Sequence, residues 1–467
     1  MADPLDTETI TMPPSTVPLA TTDASPSLGD PYSAREADTT FRKITWRLLP
    51  FLFVSFVVSQ IDRTNIAFAK LQFMHDLGLN DAAYGLGASM FLLGYILFEV
   101  PSNLYIQKVG ARATLMRIML LWGIASVAMS TVRTPMGLYV MRFLLGVAEA
   151  GFFPGVMLYL SQWFPDARRG RITSVFLMSV VLSGMVGGPL AGYIMTAFAG
   201  AHGLAGWQVL FVYEGLPAIA LGVVAYFVLA DSPEQAAWLT PRERAIVADA
   251  LRQKRSQATP GHGLRLALRD PRVYIAGFVY FAIFAGLNTL GYWLPSVLRE
   301  IAASDLVTVG LLSTIPYCVS LIAMYACSRH SDSRRERRWH IAVALCVAAG
   351  GFAFVAHGDG SRVPVMLSLT CAMAASFSAL SVFWTIPPVY LTGPTVASGI
   401  AMISSIGGVA AFLSPILVGW VKTRTGSFSL AFDALAVLLL AGTVVLLRGI
   451  PAHALRETSR SGSPGQG

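Results

Sequence analysis

Twelve apolar runs recur along the chain, each of roughly 20 residues and long enough to cross a ~30 Å hydrocarbon core. They fall at roughly 46–69, 83–106, 113–132, 137–163, 172–198, 207–230, 272–297, 306–328, 339–356, 363–388, 394–421 and 428–448. The composition agrees: 54% of the 467 residues are hydrophobic and 13% charged, against about 25% charged in soluble domains. The expected fold is an all-α membrane protein of twelve transmembrane helices in two pseudo-symmetric six-helix bundles. The net charge of +8 does not signal nucleic acid, because the basic residues gather in loops on one side. With both termini cytoplasmic, roughly 26 Lys and Arg lie inside and about 6 outside, the bias of the positive-inside rule. That predicts a multi-pass protein of the cell inner (plasma) membrane.

The halves echo each other. Each has a basic turn after its second span, at 108–117 and 329–338, and a proline kink in its fifth, at Gly188-Pro189 and Ser414-Pro415. Parallel repeats of this kind are a transporter signature. The organisation read from the sequence is a disordered tail over 1–40, a first bundle over 41–231 and a central cytoplasmic loop over 232–271. A second bundle over 272–449 and a tail over 450–467 complete it. In the loop, Pro241 to Lys254 reads as an amphipathic surface helix with a capping box from Thr240 and Glu243, and Gln257 to Gly263 as a flexible linker. Cys318, Cys327, Cys346 and Cys371 lie in or beside apolar spans without a CxxC pair and read as packing residues. No metal or cofactor is expected.

Charges inside the spans carry the functional signal. Asp62 and Arg63 stand side by side in the first span, where each charge at a helix centre costs roughly 2.5–3.5 kcal/mol. Arg142 and Glu149 sit seven residues apart in the fourth span, hence on one face and about 10 Å apart, with Gly146 between them. The four charges sum to zero, and depth reckoning brings Asp62, Arg63 and Arg142 level, which predicts mutual pairing such as Asp62–Arg142. Two plainer readings stand beside this one: snorkelling of Asp62 and Arg63 to the far surface, and a purely structural salt-bridge cluster. Glu99 is expected to contact Arg112 or Arg117 in the basic turn, and Glu214 a neighbouring helix. In the second half, Asn288, Ser381, Trp384 and Ser404 are the polar and aromatic candidates for a shared cavity, with Trp384 and Ser404 expected to meet across it. The Gly184–Gly192 run reads as a close-packing, bending sequence.

The motifs Asp62-Arg63-x-Asn65-Ile66, Gly94-Tyr95, Glu99-Val-Pro-Ser-Asn103 and Arg142-Phe-Leu-Leu-Gly-Val-Ala-Glu-Ala-Gly-Phe-Phe-Pro-Gly155 resemble those of the anion:cation symporters of the major facilitator superfamily. Trp163-Phe-Pro165 and Glu214-Gly-Leu-Pro217 add to the likeness, which covers roughly residues 42–448. Bacterial members carry phthalate, tartrate, sugar acids and hydroxyphenylacetate. The resemblance implies proton-coupled uptake of an organic carboxylate. By motif, Asp62 and Glu149 resemble the proton-coupling carboxylates and Arg63 the substrate ligand. Arg142 resembles the charge that couples protonation to gating, and Tyr95, Ser381 and Trp384 resemble residues lining the cavity. Ser404 and Gly408 stand where the family usually has asparagines, and the turn after span eight reads Ser331-Asp332-Ser333 rather than Ser-Asp-Arg. The first two changes argue against a heavily hydroxylated sugar acid.

The expected protein is therefore a secondary transporter, monomeric in the lipid bilayer, whose partners are a small organic anion and protons. The alternatives are a permease of the same superfamily for a neutral or cationic solute, and an anion exchanger. An enzyme is not expected, since GxSxG, HExxH, P-loop and His/Cys metal patterns are missing.

Overall fold

The computed structural model describes residues 32–255, 263–302, 305–358, 361–391 and 395–451, and these contain helices and no strand. In chain order the helices are α1 (Ala34–Asp76), α2 (Asp81–Val109), α3 (Ala111–Met129), α4 (Pro135–Glu149), α5 (Phe152–Trp163), α6 (Asp166–Ala197), α7 (Gly206–Val228) and α8 (Pro241–Arg255). The second half brings α9 (Gly263–Ala267), α10 (Pro271–Ala302), α11 (Leu306–Arg334), α12 (Arg338–His357), α13 (Arg362–Phe383), α14 (Pro387–Tyr390), α15 (Thr395–Thr425) and α16 (Ser429–Gly449). Taking α4 with α5 and α13 with α14, twelve spans are long and apolar enough to cross a bilayer.

Three boundaries differ from the sequence reading. Of the supposed tail 1–40, residues 1–31 lie outside the described residues, but α1 already starts at Ala34. Ser33 accepts from the Glu36 amide while Glu36 reaches back to the Ser33 amide, each at 3.2 Å, a reciprocal cap that a polar flank conceals in a hydropathy profile. Phe41 and Ile44 of this extension are buried, and Phe41 packs on Phe164 with ring centres 6.1 Å apart. Second, the fourth span is not one helix. It breaks after Glu149, where Ala150 is extended and Gly151 takes φ 86°, a left-handed conformation that glycine adopts without strain. A side chain at Gly151 would run into Ser102. Third, the tenth span stops at Phe383 and resumes as the short α14. The expected linker 257–263 falls almost wholly outside the described residues, as does the tail beyond 451. The loop helix α8 is present, capped by Thr240 and Glu243.

Within the first half, α3 packs on α7, α2 on α4, and α1 on α6 and α7; within the second, α12 packs on α13 and α16, and α11 on α13. The halves meet mainly along two pairs, α2 with α15 and α6 with α11, with a smaller contact of α1 on α10. The expected glycine run forms the second seam: Gly184 faces Tyr317, Gly188 faces Ser313 and Gly310, and Gly192 faces the Leu306 backbone. Small residues let the backbones approach, which is how helices associate where lipid offers no hydrophobic drive. In the first seam Gly85 meets the Pro415 carbonyl and Gly419 the Asp81 carbonyl.

Among the described residues, the hydrogen bonds that tie the two halves lie in the half of the spans remote from the termini. The Tyr84 hydroxyl donates to the Tyr292 carbonyl (2.8 Å), Ser89 to the Phe412 carbonyl (2.7 Å), and Thr314 to the Met185 carbonyl (3.0 Å). Lys70 belongs to the same end. Its ammonium is 2.7 Å from Asp81, donates to Ser296 at 3.0 Å, and lies 3.9 Å from the Trp293 ring centre.

Candidate functional site

The four membrane charges of the first half are inside the protein, which excludes the snorkelling reading. Asp62, Arg142 and Glu149 are fully buried, and the Arg63 side chain is 24% exposed. Consecutive residues on a helix point about 100° apart, and α1 uses this to separate its acid from its base. Arg63 turns toward α2 and α4, where its Nε lies 2.8 Å from Glu149 Oε1. Ser59, one turn earlier on the same face, donates to the same oxygen at 2.5 Å. Asp62 turns instead toward α3, where Trp122 Nε1 donates to Oδ2 at 3.0 Å and Ser126 and Asn65 (3.3 Å) donate to Oδ1.

The expected Asp62–Arg142 pair is therefore not formed in this conformation. Arg142 has no hydrogen-bond partner on any of its three guanidinium nitrogens, and Arg63 Nη2 and Glu149 Oε2 are likewise without one. Both guanidiniums lie over the Phe91 ring, that of Arg63 at 5.3 Å and that of Arg142 at 4.9 Å from its centre. Tyr95, one turn along α2, lies under Arg63 at 4.7 Å. Each such cation–π contact is worth about 0.5–2 kcal/mol depending on desolvation. The close approach of α2 and α4 that builds this stack depends on Gly146, where a side chain would strike the Phe91 carbonyl, and on Gly94, which would strike that of Phe143.

The second half is less convergent. Asn288 donates to its own helix at the Phe284 carbonyl (2.8 Å). Ser381 pairs with Ser328 of α11 at 2.9 Å and donates to the Ser378 carbonyl. Trp384 packs edge-on to Tyr280, ring centres 4.9 Å apart, and Tyr280 also closes on Gly407, one turn from the exposed Ser404. Tyr280 thus touches both Trp384 and the helix that carries Ser404. The arginines of the basic turn are engaged elsewhere than the expected Glu99: Arg112 lies over Tyr226 (3.9 Å) with its backbone amide on Asp231, and Arg117 lies over Tyr105 (4.2 Å).

Ser59, Phe91, Trp122, Ser126 and Tyr280 went unread in the sequence. The first four each lie four residues from another member of the site or of its binding partners: Ser59 from Arg63, Phe91 from Tyr95, and Trp122 from Ser126. That spacing was the available signal.

The sequence profile of the Major Facilitator Superfamily matches residues 52–392. The chain belongs to that superfamily. It is 42% identical over 414 residues to a putative tartrate transporter of Agrobacterium vitis, covering 88% of this chain and 92% of the relative. It is 38% identical over 413 residues to the putative metabolite transport protein NicT of Pseudomonas putida, covering 88% and 94%. Among solved structures, the xylose transporter XylE of Escherichia coli, described as partially occluded and inward open, superposes with a TM-score of 0.67. That match has 14% identity and covers 87% of this chain and 98% of the other. At that identity the likeness concerns the fold alone. As a major facilitator protein with organic-acid transporter relatives, the chain is a multi-pass membrane transporter and not an enzyme.

Proposed function

We propose that this protein imports a small organic carboxylate together with protons, by alternating access of its two six-helix halves, as a monomer in the cell inner membrane with both termini cytoplasmic. The observation that carries the reading is the pair of guanidiniums that share Phe91. Arg142 is wholly buried with no hydrogen-bond partner, and Arg63 keeps one nitrogen free. Buried guanidinium N–H groups without an acceptor are costly, and a substrate carboxylate supplies what is missing, with Arg63 offering a bidentate fork. A dicarboxylate of the tartrate type, the substrate class in the name of the Agrobacterium vitis relative, brings two anionic groups to two guanidiniums. A cationic solute would meet repulsion from both.

Proton coupling follows from the same geometry. When substrate draws Arg63 away, Glu149 keeps only the Ser59 hydroxyl, and a lone buried carboxylate accepts a proton rather than remain charged. Asp62 is the second proton-coupling carboxylate in this reading. Tyr95, Asn288, Ser381, Trp384 and Ser404 complete the substrate cavity, Tyr95 as the platform beneath Arg63. Substrate and protons drive the exchange between conformations only by favouring one of them.

The test is uptake of labelled tartrate into proteoliposomes under an imposed pH gradient. Accumulation that collapses with the gradient and is lost in Arg63→Ala supports the reading. Accumulation indifferent to the gradient but driven by an opposing anion would replace it with exchange.

A further inference from the structure

Glu214, in the middle of α7, takes no part in the scheme above. Its residue surface is 4% exposed, and neither carboxylate oxygen has a hydrogen-bond partner. It faces Asp62 and Asn65 of α1. The Asn65 amide nitrogen donates to Asp62 Oδ1 at 3.3 Å, while its own oxygen, buried in a residue 1% exposed, receives no donor. The result is a sealed pocket among α1, α3 and α7 that holds two carboxyl groups with an amide between them.

Among the described residues, the one cation felt in this pocket is Arg142 of α4, which acts on Asp62 and not on Glu214. Of the charged residues on α1, Arg63 is engaged by Glu149 and Lys70 by Asp81, while Asp76 accepts from Trp207. On α3, Arg112 and Arg117 lie over Tyr226 and Tyr105. The charged residues of α6 all precede Ile172, and Glu214 is the only one on α7. Two carboxylates so placed cannot both ionise.

We propose that Glu214 is a further proton-binding site, a neutral carboxylic acid that donates to Asn65 and forms one proton-holding pair with Asp62. The amide decides the point. Its single oxygen faces one carboxyl and its NH2 the other, so whichever way the amide is turned, the carboxyl facing the oxygen must bring a hydrogen. Asp62 already accepts from Trp122 and Ser126, which suits an ionised group. Glu214 accepts nothing, so the proton sits there. The pair then holds one proton while Asp62 is ionised and two when it is not. This rests on Asp62 as a proton-coupling group, and it places the reserve on the helix behind it, away from the Arg63–Glu149 pair.

Infrared spectroscopy of the purified protein reads this without transport. In sodium-free buffer near neutral pH the wild type is expected to show the carbonyl band of a buried carboxylic acid, which Glu214→Gln removes and Asp62→Asn retains. A Glu214→Gln spectrum identical to wild type overturns the proposal. Should that variant fail to fold, Asn65→Ala keeps both carboxyls and must shift the band; an unmoved band overturns it too. Loss of the wild-type band on adding sodium assigns the pocket to a metal cation and also overturns it. Absence of gradient-driven uptake alongside an intact band removes the coupling scheme and leaves the proton site standing.

Discussion

Arg63 Nε lies 2.8 Å from one oxygen of Glu149, and the other oxygen of that carboxylate accepts nothing. The pair is half satisfied, so it holds firmly enough to order both side chains yet leaves Arg63 able to exchange partners. Glu149→Gln keeps the shape, removes the charge and frees Arg63. It is expected to bind the carboxylate at least as tightly as wild type and to keep exchange of labelled for unlabelled substrate, while losing accumulation driven by a pH gradient. Counterflow and gradient-driven uptake, measured side by side, check this.

Arg63→Ala leaves the buried Glu149 with Ser59 as its remaining hydrogen-bond donor. Breaking a buried pair from one side costs about 3–5 kcal/mol, whereas removing both charges is often neutral. Arg63→Ala should therefore unfold at a clearly lower temperature than wild type. Arg63→Ala/Glu149→Gln should recover most of that loss and remain inactive. Thermal unfolding in detergent separates the two, and a double variant no more stable than the single one removes the pair from the ledger of fold stability.

Gly146 carries the contact between α2 and α4 on which the Phe91 stack depends. Gly146→Val pushes the helices apart, with an overpacking cost of about 1–3 kcal/mol, and moves Phe91 and Tyr95 from beneath the guanidiniums. Substrate affinity should fall more than stability, and titration calorimetry beside a melting curve shows which falls first.

Lys70 joins α1 and α2 to Ser296 and Trp293 of α10 at the closed end. Lys70→Ala should favour conformations open at that end. Ser89, buried against the Phe412 carbonyl, reports it: in a background without the four native cysteines, Ser89→Cys should label faster with a bulky thiol reagent once Lys70 is replaced. Equal labelling rates would remove Lys70 from the closure.

Outside the membrane, Lys43 of α1 and Glu243 of α8 lie 2.8 Å apart. Partial burial pushes the Glu243 carboxyl up, but the Lys43 hydrogen bond and the Thr240 amide outweigh it and hold the group below the ordinary glutamate range. A depressed carboxyl stabilises the fold above its unfolded-state value, and that stabilisation is lost as pH falls through the folded one. Lys43→Ala should cost under about 1 kcal/mol at neutral pH and nothing once the medium is acidic enough to protonate Glu243, as melting at the two pH values will show.

The spans and their repeat were legible because lipid imposes one rule on every residue of a run. That Asp62, Arg63, Arg142 and Glu149 matter was legible because charge in a membrane is costly, but the sequence reading named Asp62–Arg142 and not the Arg63–Glu149 pair that forms. What escaped was direction around the helix axis. Asp62 and Arg63 read as one motif, but a single step along α1 sends them to different neighbours, Trp122 and Ser126 for the first and Glu149 for the second. The break at Gly151 escaped for a related reason: hydropathy is blind to a change of backbone hand between two apolar stretches. Tyr280 escaped because an aromatic on an apolar helix has no periodic mark to distinguish cavity from core.

The seams between the halves rest largely on glycine against backbone, at Gly85, Gly188, Gly192 and Gly419. Flat contacts of this sort shield little apolar side chain, so parting them forfeits little cohesion. Turning a 1:99 population into 99:1 takes about 5.5 kcal/mol, a sum within reach of one bound anion and a proton or two. Where the seams run backbone to backbone the halves can part cheaply, and a few polar latches such as Lys70 tune the balance.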